Sequence, residues 1–475
     1  MGGQVRKGLL LLTAISLCVS QVPLLAQSSP LVDGSGGGDH IDYLRAYALA
    51  LEADPTWLAA QARGRADAQE RAIARANLRP SLSYSYDRAR NWSDITEMRP
   101  GSNLSSDMTY NSFSSSFVVS QSLFNAAAGA RYKAGVARAE AGAFTEQRAR
   151  QALAVRVLQA YSDLLFAIDD LKLAEAHADA LAEDMRRVER FVTLGEGTRT
   201  DRAEVEAQQH LASARVVEAQ DRLRTARNGL QLLIGPVAIG DPAMLIDRCL
   251  PIASPPEPLD LWKERLLAQN PELAAQRSMV EVAERGVDQQ RATGYPTVNL
   301  FARHRTSESD GENVIGQHFR TATVGVQLRM PLYSGGGVSA STRQARNVRD
   351  EARHQLDAAT FQLVDDLERQ YSLVEMSPRR IDAYARAASA AAERVRATQR
   401  SIVGGERTNL DALDAERQRL EALRDLARAR YDYLLAWLSL RWQAGTLDDA
   451  DIDRVGACFA GPSPSPDSPQ KGTIE

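Results

Sequence analysis

The sequence predicts a mixed α and β membrane protein: an internal structural repeat that gives four strands and two very long helical hairpins per chain. Three observations carry this. First, the text recurs about 210 residues on, the mark of equivalent folding units. Leu51-Glu52-Ala53-Asp54-Pro55 is answered by Leu267-Ala268-Gln269-Asn270-Pro271, Pro80 by Pro296, and Leu123-Phe124-Asn125 by Leu332-Tyr333-Ser334. Gly195 with Asp201 is likewise answered by Gly405 with Asp411. Second, each copy holds a tract of helix formers far longer than a soluble domain uses. Third, each copy places a pair of alternating segments ahead of that tract.

The N-terminus has Arg6 and Lys7, the apolar run Gly8 to Ser20, and small residues near Ala26. A basic start, a short apolar core and a small-residue cut site read as a secretory signal over residues 1–26. The alternative is a retained N-terminal anchor. Leu24, three places before the cut, is atypical and leaves the cleavage site open. Ser35-Gly36-Gly37-Gly38 makes 27–39 a flexible linker. The first repeat is expected over 40–240, an inter-repeat linker over 241–257, and the second repeat over 258–445. Residues 446–475 are expected to be an equatorial segment and C-terminal tail, whose end, rich in proline and serine, is expected to be disordered.

Each repeat reads as helix, two strands, very long helix, helix. From Ala126 to Leu194 there is no proline, and Leu153, Val157, Ala160, Leu164, Ile168 and Leu171 recur on one helix face. The equivalent tract, Val338 to Val403, holds only Pro378, with Leu356, Ala359, Leu363, Leu367, Gln370 and Val374 on its face. Each tract would run roughly 100 Å at ~1.5 Å per residue. Shorter partners follow, Thr200 to Ile234 and Asn409 to Trp442. An ordinary antiparallel coiled coil explains this periodicity but not what lies between the helices.

Between them lie strands. Ser81 to Arg88 alternates Leu82, Tyr84 and Tyr86 with polar residues; Ser112 to Gln121 alternates Phe113, Phe117 and Val119 with serines, blurred by Val118. Thr297 to His304 and Arg320 to Met330 repeat the pattern with Val298, Leu300, Ala302 and with Ala322, Val324, Val326, Leu328. Such alternation, in segments near ten residues, marks transmembrane β-strands. Asn91 to Tyr110 and Glu308 to Gln317 read as polar external loops. Four strands cannot close, and an open sheet in a bilayer leaves backbone groups unsatisfied at several kcal/mol each. The barrel must therefore be completed by other copies. Two copies give a filled 8-stranded barrel and three a 12-stranded one with the beginnings of a lumen.

Composition narrows the function. Apolar residues are 44% and charged residues 25%, enough for an ordered core. The net charge is −4, and −6 once Arg6 and Lys7 leave with a segment that has no acidic group. This mild acidity speaks against nucleic-acid binding. The six histidines show no metal-ligand spacing, and Gly335-Gly336-Gly337 lacks the lysine of a phosphate-binding loop. No catalytic residue, cofactor or metal site is expected, so an envelope enzyme has no support. A periplasmic adaptor also uses long helical hairpins, but it needs flanking soluble β-domains and would not place strands between helices twice.

Over roughly His40 to Gly445 the chain resembles the TolC-type outer-membrane efflux and type I secretion channels. The resemblance rests on Asp54-Pro55 and Asn270-Pro271, on Arg79-Pro80 and Tyr295-Pro296, and on Pro331-Leu332-Tyr333-Ser334-Gly335-Gly336. It rests also on Gly405-Glu406-Arg407-Thr408-Asn409-Leu410-Asp411-Ala412-Leu413-Asp414-Ala415. It implies a homotrimer, with a 12-stranded barrel in the outer-membrane lipid continued by a helical barrel through the periplasm, and a small equatorial domain at its middle. It further implies a passive exit duct, opened at its periplasmic tip by a periplasmic adaptor and an inner-membrane pump or ABC transporter.

The resemblance also assigns a gate. Asp411 and Asp414, three apart on one helix face, are implied as a pore constriction, a carboxylate ring that attracts cations. Arg407 is implied as a clasp to Thr200 or Asp201 of the first repeat. Ile402 departs from an aromatic that the family often places three residues before the motif glycine. Simple helix capping is the competing account, with Thr200 or Asn409 as N-caps and Asp201 and Asp411 in the first turn. Cys249 and Cys458 each lie about 15 residues beyond an equivalent short helix, near the implied equatorial domain. In an oxidising periplasm they are a candidate disulfide.

Overall fold

A computed structural model describes residues 41–100, 102–195, 198–246, 249, 257–309, 314–403 and 409–460. The expected signal, the linker that follows it, Arg407 and the end of the C-terminal tail lie outside these residues.

Each repeat opens on two helices, where the sequence reading had one. Helices α1 (Tyr43–Ala53) and α2 (Pro55–Ala76) meet at Asp54; α5 (Leu259–Gln269) and α6 (Pro271–Ala292) meet at Asn270. The cause is local. Proline has no N–H to continue the preceding ladder, and it disfavours helical backbone in the residue before it. That residue is extended instead, with ψ 114° at Asp54 and 121° at Asn270, and caps the second helix. The Asp54 carboxylate accepts from the Trp57 N–H at 2.9 Å. The Asn270 side-chain oxygen accepts from the Glu272 and Leu273 N–H groups at 2.8 and 3.2 Å.

The strands that follow are β1 (Ser81–Arg99) and β2 (Ser102–Phe124) in the first repeat, and β4 (Thr297–Glu308) and β5 (His318–Arg329) in the second. They form one antiparallel sheet in the order β1-β2-β4-β5. The first hairpin is much longer than expected. The expected loop from Asn91 to Tyr110 is instead paired backbone, from Asn91 opposite Tyr110 to Arg99 opposite Ser102. Polar residues on both faces hid it, but the pairing of N–H and C=O groups across a ribbon is indifferent to face polarity. Pairing of β2 with β4 starts only at Phe113 opposite Glu308, so the outer half of the first hairpin projects as a two-stranded ribbon.

The long helices are α3 (Ala126–Thr193, 68 residues) and α7 (Gly337–Val403, 67 residues). Asn125 caps α3 by accepting from the Ala128 N–H at 2.9 Å. Helix α7 runs through Pro378, which costs the Val374 carbonyl its usual donor. Their antiparallel partners are α4 (Arg199–Ile234) and α8 (Asn409–Ala444). Helix α3 packs against α2, α4, α6 and α8, whereas α7 packs against α6 and α8. Close approach of α2 to α3 needs small residues: a Cβ on Gly142 would lie 2.5 Å from the Asp67 Cβ.

The main core sits midway along the helices. Leu153, Val157 and Leu164 of α3, Leu363, Leu367 and Val374 of α7, and Tyr431, Leu434 and Leu438 of α8 are all buried there. The Tyr161 hydroxyl donates to the Ile41 and Ala243 carbonyls at 3.0 and 2.8 Å, tying the chain start and the inter-repeat segment to α3. Strand β3 (Met244–Leu245) pairs with β6 (Phe459–Ala460) beside helix α9 (Asp449–Gly456). The segment between the repeats and the segment after the second thus make one small unit against the core. Cys249 and Cys458 are disulfide-bonded within it, with Cα atoms 5.4 Å apart.

Candidate functional site: the open sheet and the hairpin tip

The sheet has two unlike faces, and its register sets them. Across the strands, Leu82, Val119, Ala302 and Val324 form one row, and Tyr84, Phe117, His304 and Ala322 the next. Leu300 with Val326, and Val298 with Leu328, extend the same face toward the helices. These side chains are bare: Leu82 is 68% exposed and Val324 77%. A soluble domain rarely leaves so large an apolar patch in water. The opposite face carries Ser83, Ser85, Ser114, Ser116, Asn299, Arg303 and Gln327. Both edge strands, β1 and β5, are unpaired on their outer sides in the single chain. An apolar band over a sheet with open edges is therefore unfinished in two ways: it lacks lipid and it lacks strand partners.

The far ends of the helical hairpins make a second candidate site. A small apolar cluster closes it, with Leu181, Met185 and Val188 of α3, Val205 and Ala212 of α4, and Leu413 of α8. Leu413 is buried there among residues of α3 and α4. Thr200 and Asp201 lie in the first turn of α4, with the Thr200 side chain exposed. Thr200 is the second residue of α4, inside the helix rather than before it. Asp411 lies in the first turn of α8, where the helix dipole favours a carboxylate. Asp414 is half exposed and ion-pairs with Arg417 at 3.2 Å, one turn on. Ile402 lines a groove between α3, α7 and α8 with His177, Asp184 and Glu416. Burial holds the His177 imidazole below its ordinary pKa, with the Glu416 carboxylate opposing.

The sequence reading missed the charged joints that fix the hairpins to one another. The Arg148 guanidinium donates to Gln443 Oε1 at 2.8 Å and the Trp442 carbonyl at 2.5 Å, pairs with Glu272 at 3.2 Å, and lies 4.0 Å over the Trp442 ring. Burial pulls its pKa down to about 10, opposed by Glu272. In the first repeat, Arg156 reaches the buried Asp54 cap at 2.6 Å. The arginines alone gave no signal, because their partners lie about 100 to 300 residues away in sequence.

Comparison with known proteins meets this geometry at every level. The model of the family "Outer membrane efflux protein" matches residues 46–236 and 262–446, one span per repeat. The chain is 39% identical to the alkaline protease secretion protein AprF of Pseudomonas aeruginosa, over 88% of this chain and 87% of that protein. It is 37% identical to the proteases secretion protein PrtF of Dickeya chrysanthemi, over 89% of this chain and 92% of that one. Its fold superimposes on the Campylobacter jejuni CmeC outer membrane channel with a TM-score of 0.75, at 15% identity, covering 88% of this chain and 90% of that one. The repeat, the bare apolar band and the long hairpins thus have one explanation: the chain belongs to the outer membrane efflux protein family, and is an outer-membrane exit duct that extends into the periplasm.

Proposed function

We propose that this duct serves type I protein secretion, and that its cargo is polypeptide, proteases included. The observation that carries this reading is the similarity over nearly the whole chain to two proteins named for protease secretion, at 39% and 37% identity. The architecture supports it physically. Helices of 68 and 67 residues reach about 100 Å at ~1.5 Å per residue. A duct of that length carries cargo past the periplasm without releasing it there.

In this reading three copies close a 12-stranded barrel in the outer-membrane lipid, since each chain brings four strands and two open edges. Residues 1–26 direct export and 27–39 form a linker. The duct itself is passive. A periplasmic adaptor and an inner-membrane ABC transporter engage the hairpin tip, where Asp411 and Asp414 form the constriction and Arg407 clasps Thr200 or Asp201. The Cys249–Cys458 bond forms on export and staples the small unit at mid-height.

The test is a comparison of the source cells with and without this chain. Loss of protease from the medium, with unchanged tolerance of dyes, detergents and metal ions, is the expected outcome. An intact set of secreted proteins together with hypersensitivity to such compounds would overturn the cargo assignment.

A further inference from the structure

We propose that the polar face of the sheet forms a basic collar inside the exit barrel, and that this collar binds anionic segments of the passing chain. The inference rests on the duct reading, which turns the apolar face to lipid and the polar face to the lumen. The collar follows from register. Along β4 and β5, Arg303, Arg305 and Arg329 alternate with the lipid-facing Ala302, His304 and Leu328. On the same polar face of the four-stranded region, Asp87 is the one carboxylate among the described residues. Asp87 is opposite Ser114 and Ser307, so it lies about two strand spacings from β4's own arginines, roughly 10 Å across the sheet.

The first hairpin brings no cation to this height: Ser83 is opposite Val118 and Ser85 opposite Ser116. Within the four-stranded region, the arginines of this face therefore all lie on the second repeat's strands. It is not a reflection of composition, because the whole chain is −4. Among the described residues, neither Arg303 nor Arg329 has an ion-pair partner. Arg305 is oriented by donating from Nε to Ser114 Oγ at 3.2 Å. Phe301 lies against Gly325, where a Cβ would come within 2.8 Å of its ring, so the ring covers the wall beside Arg303. At the base, where α2 ends, Arg79, Asn299, Arg303 and Gln327 line one hollow, which adds a fourth cation near the barrel mouth.

The Arg303 and Arg329 guanidinium groups, without carboxylate partners among the described residues and set on a sheet wall among neutral side chains, suit carboxylates that pass by. Walls of one sign and low dielectric focus that attraction. Rings of arginine are also a physical basis for anion preference in pores. The ligand class is thus an acidic polypeptide stretch, met weakly and at several points so that it still leaves.

The test uses the full-length protein in a planar bilayer, with a poly-glutamate or a poly-lysine peptide added from the barrel side. Block is scored against each variant's own open current. Poly-glutamate should block the wild type, and roughly tenfold more peptide should be needed in Arg303→Gln with Arg329→Gln. Arg303→Lys with Arg329→Lys should restore block, since it restores charge. Block should also fade near 1 M salt, where screening acts within about 3 Å. Equal block by both peptides, or undiminished poly-glutamate block in the glutamine variant, would overturn the collar alone. Absence of any current in the wild type would overturn the duct reading, and the collar with it.

Discussion

Gly445 shows how one residue holds a repeat in place. It ends α8 at φ 78°, and the Thr446 N–H returns to the Arg441 carbonyl at 3.0 Å, a glycine-dependent helix stop. The same glycine lets the α5–α6 joint press against it: a Cβ there would lie 2.5 Å from the Asn270 Cα. Gly235 occupies the equivalent place after α4 at φ 81°, but its Cβ would meet only the Ala53 Cβ, at 3.0 Å. Strained backbone of this kind costs about 1–3 kcal/mol. Gly445→Ala should therefore exceed that range through the added backbone clash, and Gly235→Ala should stay within it. Thermal unfolding of the two purified variants in detergent checks the order. Asp169 offers a test by pH. Burial raises its carboxyl above the ordinary range, opposed by the Tyr431 hydroxyl, which donates to it at 2.9 Å. A raised carboxylate pKa means the ionised form costs stability in the fold. That cost is fully present above the folded value and is relieved as pH falls toward the ordinary carboxylate value. The Asp169→Asn variant keeps an acceptor for Tyr431, so the stability gap between variant and wild type should narrow on acidification. A gap that does not change between neutral and mildly acid pH would contradict this.

At the scale of elements, the sequence was most legible where periodicity is strong. Leu153, Val157 and Leu164 are spaced for one helix face and are buried on one, and Leu82, Tyr84 and Tyr86 alternate and share a sheet face. It was least legible where polarity carries no period. The ribbon from Asn91 to Tyr110 is polar on both sides, so nothing in its pattern distinguished strand from loop. The Pro55 and Pro271 motifs were visible and break the helices locally, whereas the Arg156 and Gln443 contacts that hold the two joints across the fold were not legible. At the hairpin tip the sequence located Asp411 and Asp414 by resemblance; Arg417 beside Asp414 was not foreseen. Two predictions belong here. Arg407→Ser should raise single-channel conductance while cation preference persists, and Asp411→Ala with Asp414→Ala should weaken that preference. No change in either variant would leave these residues as helix caps only. For the disulfide, thiol labelling of denatured, non-reduced mature protein should find neither Cys249 nor Cys458 free. Two labelled thiols per chain would reject the bond. Its loss should cost about 2–5 kcal/mol, since a native cross-link restrains the unfolded chain.

At the scale of the whole molecule, everything turns on an incomplete sheet. Four strands with an exposed apolar face and two open edges are not a finished structure in either water or lipid. The helices carry the same message, because α4 leaves Leu211, Val217 and Leu232 exposed, at 61%, 65% and 78%, along its length. Closure by copies of the chain satisfies the edges, covers such faces and creates a lumen continuous with the helical tunnel. Three copies give a barrel wide enough to begin to conduct, while two give one filled by side chains. The most direct measurement is native mass spectrometry of the protein extracted from outer membranes in detergent. A homotrimer that survives extraction is the expected result. A stable monomer or dimer that still conducts in a planar bilayer would contradict it.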